Sequence, residues 1–223
     1  MTHRPIVAFL ALALALPAFA GSNLKDDNTR LQRANEVFRA IMQTPDKGIP
    51  QEILEGAQCI AIVPGEKNFA FGFGGNYGKG MATCRHGNAW SAPVFIQIGG
   101  GSWGLQLGGQ STDVVMIFKD RNGLEHLLGN KVKIGADANA VAGPVGRHAA
   151  AATDASMHAK ILTYSRSRGI FAGISLNGDV VQPDDSGNRA MYGHRPWKSI
   201  LDGAVSATAT ARPLLATLAR YAH

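Results

Sequence analysis

Beyond its first twenty residues, the 223-residue chain has no long apolar run, so it is not a polytopic membrane protein. Charged residues are scarce at 17%, yet 45% of the chain is hydrophobic, and that balance excludes intrinsic disorder. Aromatics are also scarce, at 7%. Glycine is abundant, but its 27 residues follow no three-residue period, which excludes collagen. Glycine-rich, aromatic-poor sequence points instead to close strand approach and tight turns. No Pro- or Ser-rich linker divides the chain, and no fixed-period repeat is visible.

The amino terminus reads as an export signal. Arg4 gives a basic start, residues 6–16 are continuously apolar, and Pro17 breaks the helix. Ala18-Phe19-Ala20 supplies small residues at the positions before a cut, so cleavage is expected after Ala20. The expected location is periplasmic or secreted, with peripheral membrane association. Export permits a disulfide between the only two cysteines, Cys59 and Cys84. Two buried free thiols are the alternative, and spacing alone does not choose between them. Two cysteines without a nearby histidine pair do not form a zinc ligand set, so no metal is expected.

Apolar residues at spacings of three and four predict a helix over 26–42, with Leu31, Ala34, Phe38 and Ile41 on one face. Its polar face mixes both signs of charge, which favours core packing over membrane insertion. A short helix is expected over 49–56, with Pro50 at its first position. Strand-like runs cover 59–63 (ended by Pro64-Gly65), 69–74, 80–85, 92–98, 104–109 and 113–119. One or two helical turns fit 121–128. Extended structure is expected to return at 131–136, 139–142, 160–165, 170–176 and 180–182, and Asn177-Gly178 reads as a hairpin turn. Pro213 opens a closing helix carrying Leu214, Leu215, Leu218 and Tyr221. The expected class is α+β: one domain, a glycine-rich antiparallel sheet or barrel-like core, and helices flanking it at both ends. The boundaries are 1–20 for the signal, 21–58 for the amino-terminal helical segment and 59–223 for the domain proper.

Catalytic motifs fail on context. Gly99 to Gly104 contains G-x-G-x-x-G, but alternation through Leu105 and Leu107 leaves no room for the helix that would hold a pyrophosphate. Gly78-Lys79 is followed by Gly80 rather than Ser or Thr, so it does not end a phosphate loop. Asp154 and His158 could share a helical face, but Ser156 points away from it. No G-x-S-x-G or H-E-x-x-H is present. No enzyme, catalytic residue or cofactor is expected. What remains is distributed positive charge, a formal +6, that suits anionic surfaces. Nucleic acid is not expected as a partner, because export removes the chain from it and no stacking motif accompanies the charges.

Five blocks in order carry a family resemblance: Cys59-Ile60-Ala61-Ile62-Val63-Pro64; Trp90-Ser91-Ala92-Pro93 with the run Gly99 to Gly109; Thr112 to Ile117; Ala142-Gly143-Pro144-Val145-Gly146-Arg147; and Tyr164 to Leu176 with Asn188 and Tyr192 after it. From Cys59 to Tyr192 the chain resembles the SYLF domain family. The resemblance implies binding to phospholipids, notably phosphoinositides, with no catalysis and no cofactor. Eukaryotic relatives also bind or bundle actin, a partner not expected in a bacterial envelope. Arg147, Arg166 and Arg168 lie in family-like blocks and are the leading candidates for headgroup phosphate contacts, since guanidinium binds phosphate bidentately. Lys131, Lys133 and His148 are secondary candidates. The expected function is binding of anionic membrane lipid, with an envelope protein-interaction or scaffold module as the alternative.

Overall fold

The computed structural model describes residues 23–44, 48–71, 73–102, 110–130, 133–134, 140–145, 159–167, 170–173, 176 and 178–222. The expected leader, 1–20, lies outside them.

Asn23 starts the first helix, its Oδ1 accepting the Asp26 amide at 3.0 Å. Helix α1 (Leu24–Met42) buries Leu31, Ala34, Phe38 and Ile41, the periodic positions of the sequence. It also buries two charged residues, Asp27 and Arg30. Helix α2 (Gln51–Glu55) follows Pro50, whose missing donor and fixed φ suit a helix start.

The strands are β1 (Cys59–Phe71), β2 (Phe73–His86), β3 (Ala89–Trp90), β4 (Val94–Ser102), β5 (Gln110–Phe118), β6 (Ala140–Ala142), β7 (Ile161–Ser167), β8 (Ile170–Gly173) and β9 (Asp179–Pro183). Between and after them come α3 (Arg121–Asn130), α4 (Asp185–Tyr192), α5 (Trp197–Leu201) and α6 (Arg212–Tyr221). The strands form one curled sheet in the order β6-β7-β5-β1-β2-β4-β9, with β3 pairing β2 and β8 pairing β7. The class is α+β in a single domain. Pairing is antiparallel except between β6 and β7, so the sheet is mixed. Residues 143–160 are long enough to return the chain for a parallel pair.

Helices cover both faces of the sheet. Ile60, Ile62, Met81, Phe95, Val115, Ile117, Leu162 and Tyr164 pack with α1, α2 and α6. Ala61, Val63, Val94, Ile96, Ile98, Val114, Met116 and Val181 pack with α3 and α5. Burial on both faces explains why 114–118 reads as a continuous apolar run. Cys59 and Cys84 are register partners of β1 and β2, with Cα atoms 4.0 Å apart, and they are joined by a disulfide.

Pro64-Gly65 does not end its strand. Gly65 takes φ +61° and forms a bulge, after which β1 continues. Helices α4 and α5 fall where the sequence showed no periodicity. Asp184 caps α4 by accepting the Gly187 amide at 3.3 Å. The run expected at 104–109 lies outside the described residues. Of 131–136, only 133–134 is described; there Lys133 bridges to Val180.

A cationic pocket on the first helix

The β1 bulge sets the phase of the strand. Val63 pairs with Val114 and Glu66 with Thr112, so three steps on β1 match two on β5. The extra residue moves the inward position from the odd numbers, Cys59, Ala61 and Val63, to Glu66. Gly65 and Lys67 are thereby left on the opposite side, facing α1.

There they border a cavity of about 370 Å³ between α1 and the β1–β2 hairpin. Arg30 and Arg33 enter from the helix, with Asp26 and Thr29 beside them. Lys67, Tyr77 and Lys79 enter from the strands. Lys67 and Tyr77 are register partners, and both are exposed. Positions 26, 29, 30 and 33 share one helical stripe, which is why one helix contributes four lining residues.

Behind the pocket sits a buried charge cluster. Arg30 meets Asp27 at 3.0 Å and Asp184 at 2.9 Å, and its guanidinium lies 5.1 Å above the Phe95 ring. Lys79 meets Asp184 at 2.9 Å. Burial alone would raise the Asp184 carboxyl, but the Ser186 hydroxyl, Lys79 and Arg30 outweigh it and hold its pKa at about 2. Asp27 is pushed up by burial, against the pull of Arg30 and with Asp184 adding repulsion. These pairs fix Arg30 and Lys79 in place. Arg33 and Lys67 make no ion pair among the described residues, and they set the charge presented to a ligand.

On the other side of the pocket floor, Glu66 is 3% exposed. Its neighbours are Asp179 of β9 and Asn76 of β2, and Asn76 donates through Nδ2 to Asp179 Oδ1 at 2.6 Å. Burial, reinforced by Asp179 and only partly opposed by Asn76, lifts the Glu66 pKa to about 7.

Of the six sequence candidates, Arg166 and Lys133 are described, and neither lines this pocket. Arg166 pairs with Asp113 at 3.2 Å, and Asp113 in turn accepts the Gly65 amide at 3.0 Å, so Arg166 braces the bulge from behind. Lys133 is exposed beside β9. Arg147, His148, Arg168 and Lys131 lie outside the described residues. Sequence reasoning passed over Arg30, Arg33, Lys67 and Lys79. The i, i+4, i+7 spacing of Asp26, Arg30 and Arg33 was legible, but its strand partners were not. Among the described residues, no three His, Cys, Asp or Glu side chains gather as metal ligands, and no helix is long and apolar enough to cross a membrane.

The architecture is thus a curled mixed sheet between two helical layers, with a cationic recess under the first helix. A family profile named Ysc84, described as Las17-binding protein actin regulator, matches residues 99–221. The chain is 35% identical over 176 residues to an SH3 domain-containing protein of Schizosaccharomyces pombe, covering 76% of this chain and 40% of that one. It is 34% identical over 191 residues to Protein YSC84 of Saccharomyces cerevisiae, covering 83% and 40%. With SH3 domain-containing YSC84-like protein 1 of Bos taurus it shares 32% over 175 residues, covering 77% and 51%. The chain belongs to the Ysc84 family, that of the SYLF domain. It spans about half or less of the length of these relatives.

Proposed function

We propose that this protein binds anionic phospholipid at a membrane surface, without catalysis, and that the pocket under α1 receives the headgroup phosphate. The observation that supports this reading is the convergence of Arg30, Arg33, Lys67 and Lys79 on one cavity. Two of the four are held by buried carboxylates, which preorganises them, and the other two supply charge that a phosphate can neutralise. Tyr77, 46% exposed at the rim, offers an amphipathic ring of the kind that settles at a bilayer interface. Each basic side chain close to an anionic leaflet contributes roughly 1 kcal/mol, so the pair Arg33 and Lys67 changes binding measurably. Cleavage of the leader after Ala20 would place the protein, and the membrane it meets, in the periplasm or outside the cell.

The test is flotation of the purified protein with phosphatidylglycerol-containing vesicles and with phosphatidylcholine vesicles, at low and high salt. Salt-sensitive flotation on the anionic vesicles alone is expected, and Arg33→Glu with Lys67→Glu should abolish it while leaving thermal unfolding unchanged. A second reading, protein docking, draws on the relative named LAS seventeen-binding protein 3. A folded sample that floats with neither vesicle would favour that reading and reject the first.

A further inference from the structure

The pocket floor has two sides, and an acid stands on the buried one. Glu66 lies between two pocket-lining residues, Gly65 and Lys67, yet its own side chain faces inward because of the bulge. Gly78, which also lines the pocket, presents only backbone where β2 passes that acid. A Cβ built there would lie 3.2 Å from Glu66 Cα and Cβ and 2.6 Å from Val63 Cγ1. The glutamate and the ligand space thus lie on opposite sides of the same strand pair, β1 and β2.

The surroundings of Glu66 leave its charge uncompensated. From β9, Asp179 faces it and repels it. From β2, Asn76 is neutral, while Lys79 points to the pocket side and is paired with Asp184. From β5, Asp113 is engaged by the Gly65 amide and Arg166. Lys67 of its own strand lines the pocket. Oε1 of Glu66 has no hydrogen-bond partner among the described residues. A buried carboxylate in that position is unfavourable, and a proton relieves it.

Resting on the phospholipid reading, we propose that anion binding in the α1 pocket is coupled to protonation of Glu66: the protonated protein holds the headgroup phosphate, and ionisation of Glu66 loosens it. The coupling is electrostatic. Ionised Glu66 sets a negative charge behind a pocket that must accept another, in a medium of low effective dielectric. A unit charge about 10 Å from a bound anion, at an effective dielectric of about 20–40, changes affinity by roughly five- to fifteen-fold. Linkage makes the effect reciprocal, so a bound anion raises the Glu66 pKa by the same factor. The unliganded value of about 7 places the transition near neutrality.

The test is binding to vesicles of one part phosphatidylglycerol to three parts phosphatidylcholine at about pH 6 and about pH 8. The phosphodiester of phosphatidylglycerol keeps its single charge over that range, so the ligand contributes no titration of its own. With the free transition near 7 and the bound one raised by linkage, only part of that coupling is expressed between these pH values, and the wild-type protein should bind roughly three- to six-fold more tightly at the lower pH. Glu66→Gln should bind at the higher pH as the wild type does at the lower one, with a markedly flatter profile; exposed histidines alone would leave the two profiles parallel. Asp179→Asn should shift the midpoint downward, because the repelling charge is gone. Anionic binding with parallel wild-type and Glu66→Gln profiles overturns the coupling and leaves the lipid reading standing. Absence of binding at either pH, in folded wild-type and Glu66→Gln samples alike, overturns the lipid reading and the coupling with it.

Discussion

Asp113 accepts the amide of Gly65 at 3.0 Å, and this bond fastens the bulge that decides which way residues 66 and 67 face. With Arg166 on its other oxygen, the carboxylate ties β1, β5 and β7 together at the point where the strand changes phase. Asp113→Ala should therefore lower unfolding free energy by about 1–2 kcal/mol and speed exchange of the Gly65 amide. Urea titration and amide exchange by NMR would check this; an unchanged Gly65 exchange rate would mean that the backbone holds the bulge unaided.

Arg30 compensates two buried carboxylates at once. Arg30→Met keeps much of the volume but leaves Asp27 and Asp184 facing each other with Lys79 alone. A destabilisation of about 3–5 kcal/mol is expected near neutrality, together with a shallower further loss in acid, because without the guanidinium the Asp184 carboxyl is less depressed. Asp184 has a folded pKa of about 2, depressed below the unfolded value of 3.8. Its contribution is present above the unfolded value and is lost as pH falls toward the folded one. Thermal melts of the wild type between about pH 4 and 2 should show that loss.

Glu66 acts in the opposite sense. Its folded pKa of about 7 is raised above the model-peptide value of 4.5. Between those values the folded protein binds more protons than the unfolded chain, so stability falls as pH rises through the window. Glu66→Gln should melt higher than the wild type at pH 8, by an amount on the order of 3 kcal/mol, and should flatten the decline. Denaturant titrations at several pH values measure it without any lipid present.

Glycines separate by what surrounds them. A Cβ on Gly80 would collide with the carbonyl oxygen of Ile62 and lie 2.8 Å from Val63 Cα, and backbone has nowhere to move inside a paired sheet. Gly80→Ala should cost about 1–3 kcal/mol. Gly129, in α3, has nothing within 4 Å of such an atom. Gly129→Ala should instead stabilise by about 0.5–1 kcal/mol. Paired unfolding curves decide both, and a neutral Gly80→Ala would show that β1 and β2 sit less closely than described.

The disulfide closes a loop with a sequence separation of 25 between directly paired strands. Chain entropy assigns it about 3–4 kcal/mol. Reductant should lower the melting temperature of the wild type and leave that of a Cys59→Ala, Cys84→Ala double variant unmoved.

Much of this molecule is local in origin. The helix over 24–42 follows from apolar spacing and the cap at Asn23, and the buried run 114–118 from its composition. The sequence blocks that resemble SYLF domains led to the family that the comparisons established. Pro64-Gly65 was also legible, but as a stop. A strand broken by proline and glycine in isolation does end, whereas here the Asp113 carboxylate and the flanking β2 and β5 supply partners that carry it through. That tertiary decision turned Glu66 inward and Lys67 outward. It also paired Lys67 with Tyr77. Docking of α1 and the end of β9 against the sheet set Arg30 and Lys79 on the same aspartate, 184, far along the chain. A sequence specifies which residues are charged and which neighbours share a face. Which charges meet depends on strand register and helix docking, set by core packing between residues distant in the chain, and so the pocket belongs to the fold.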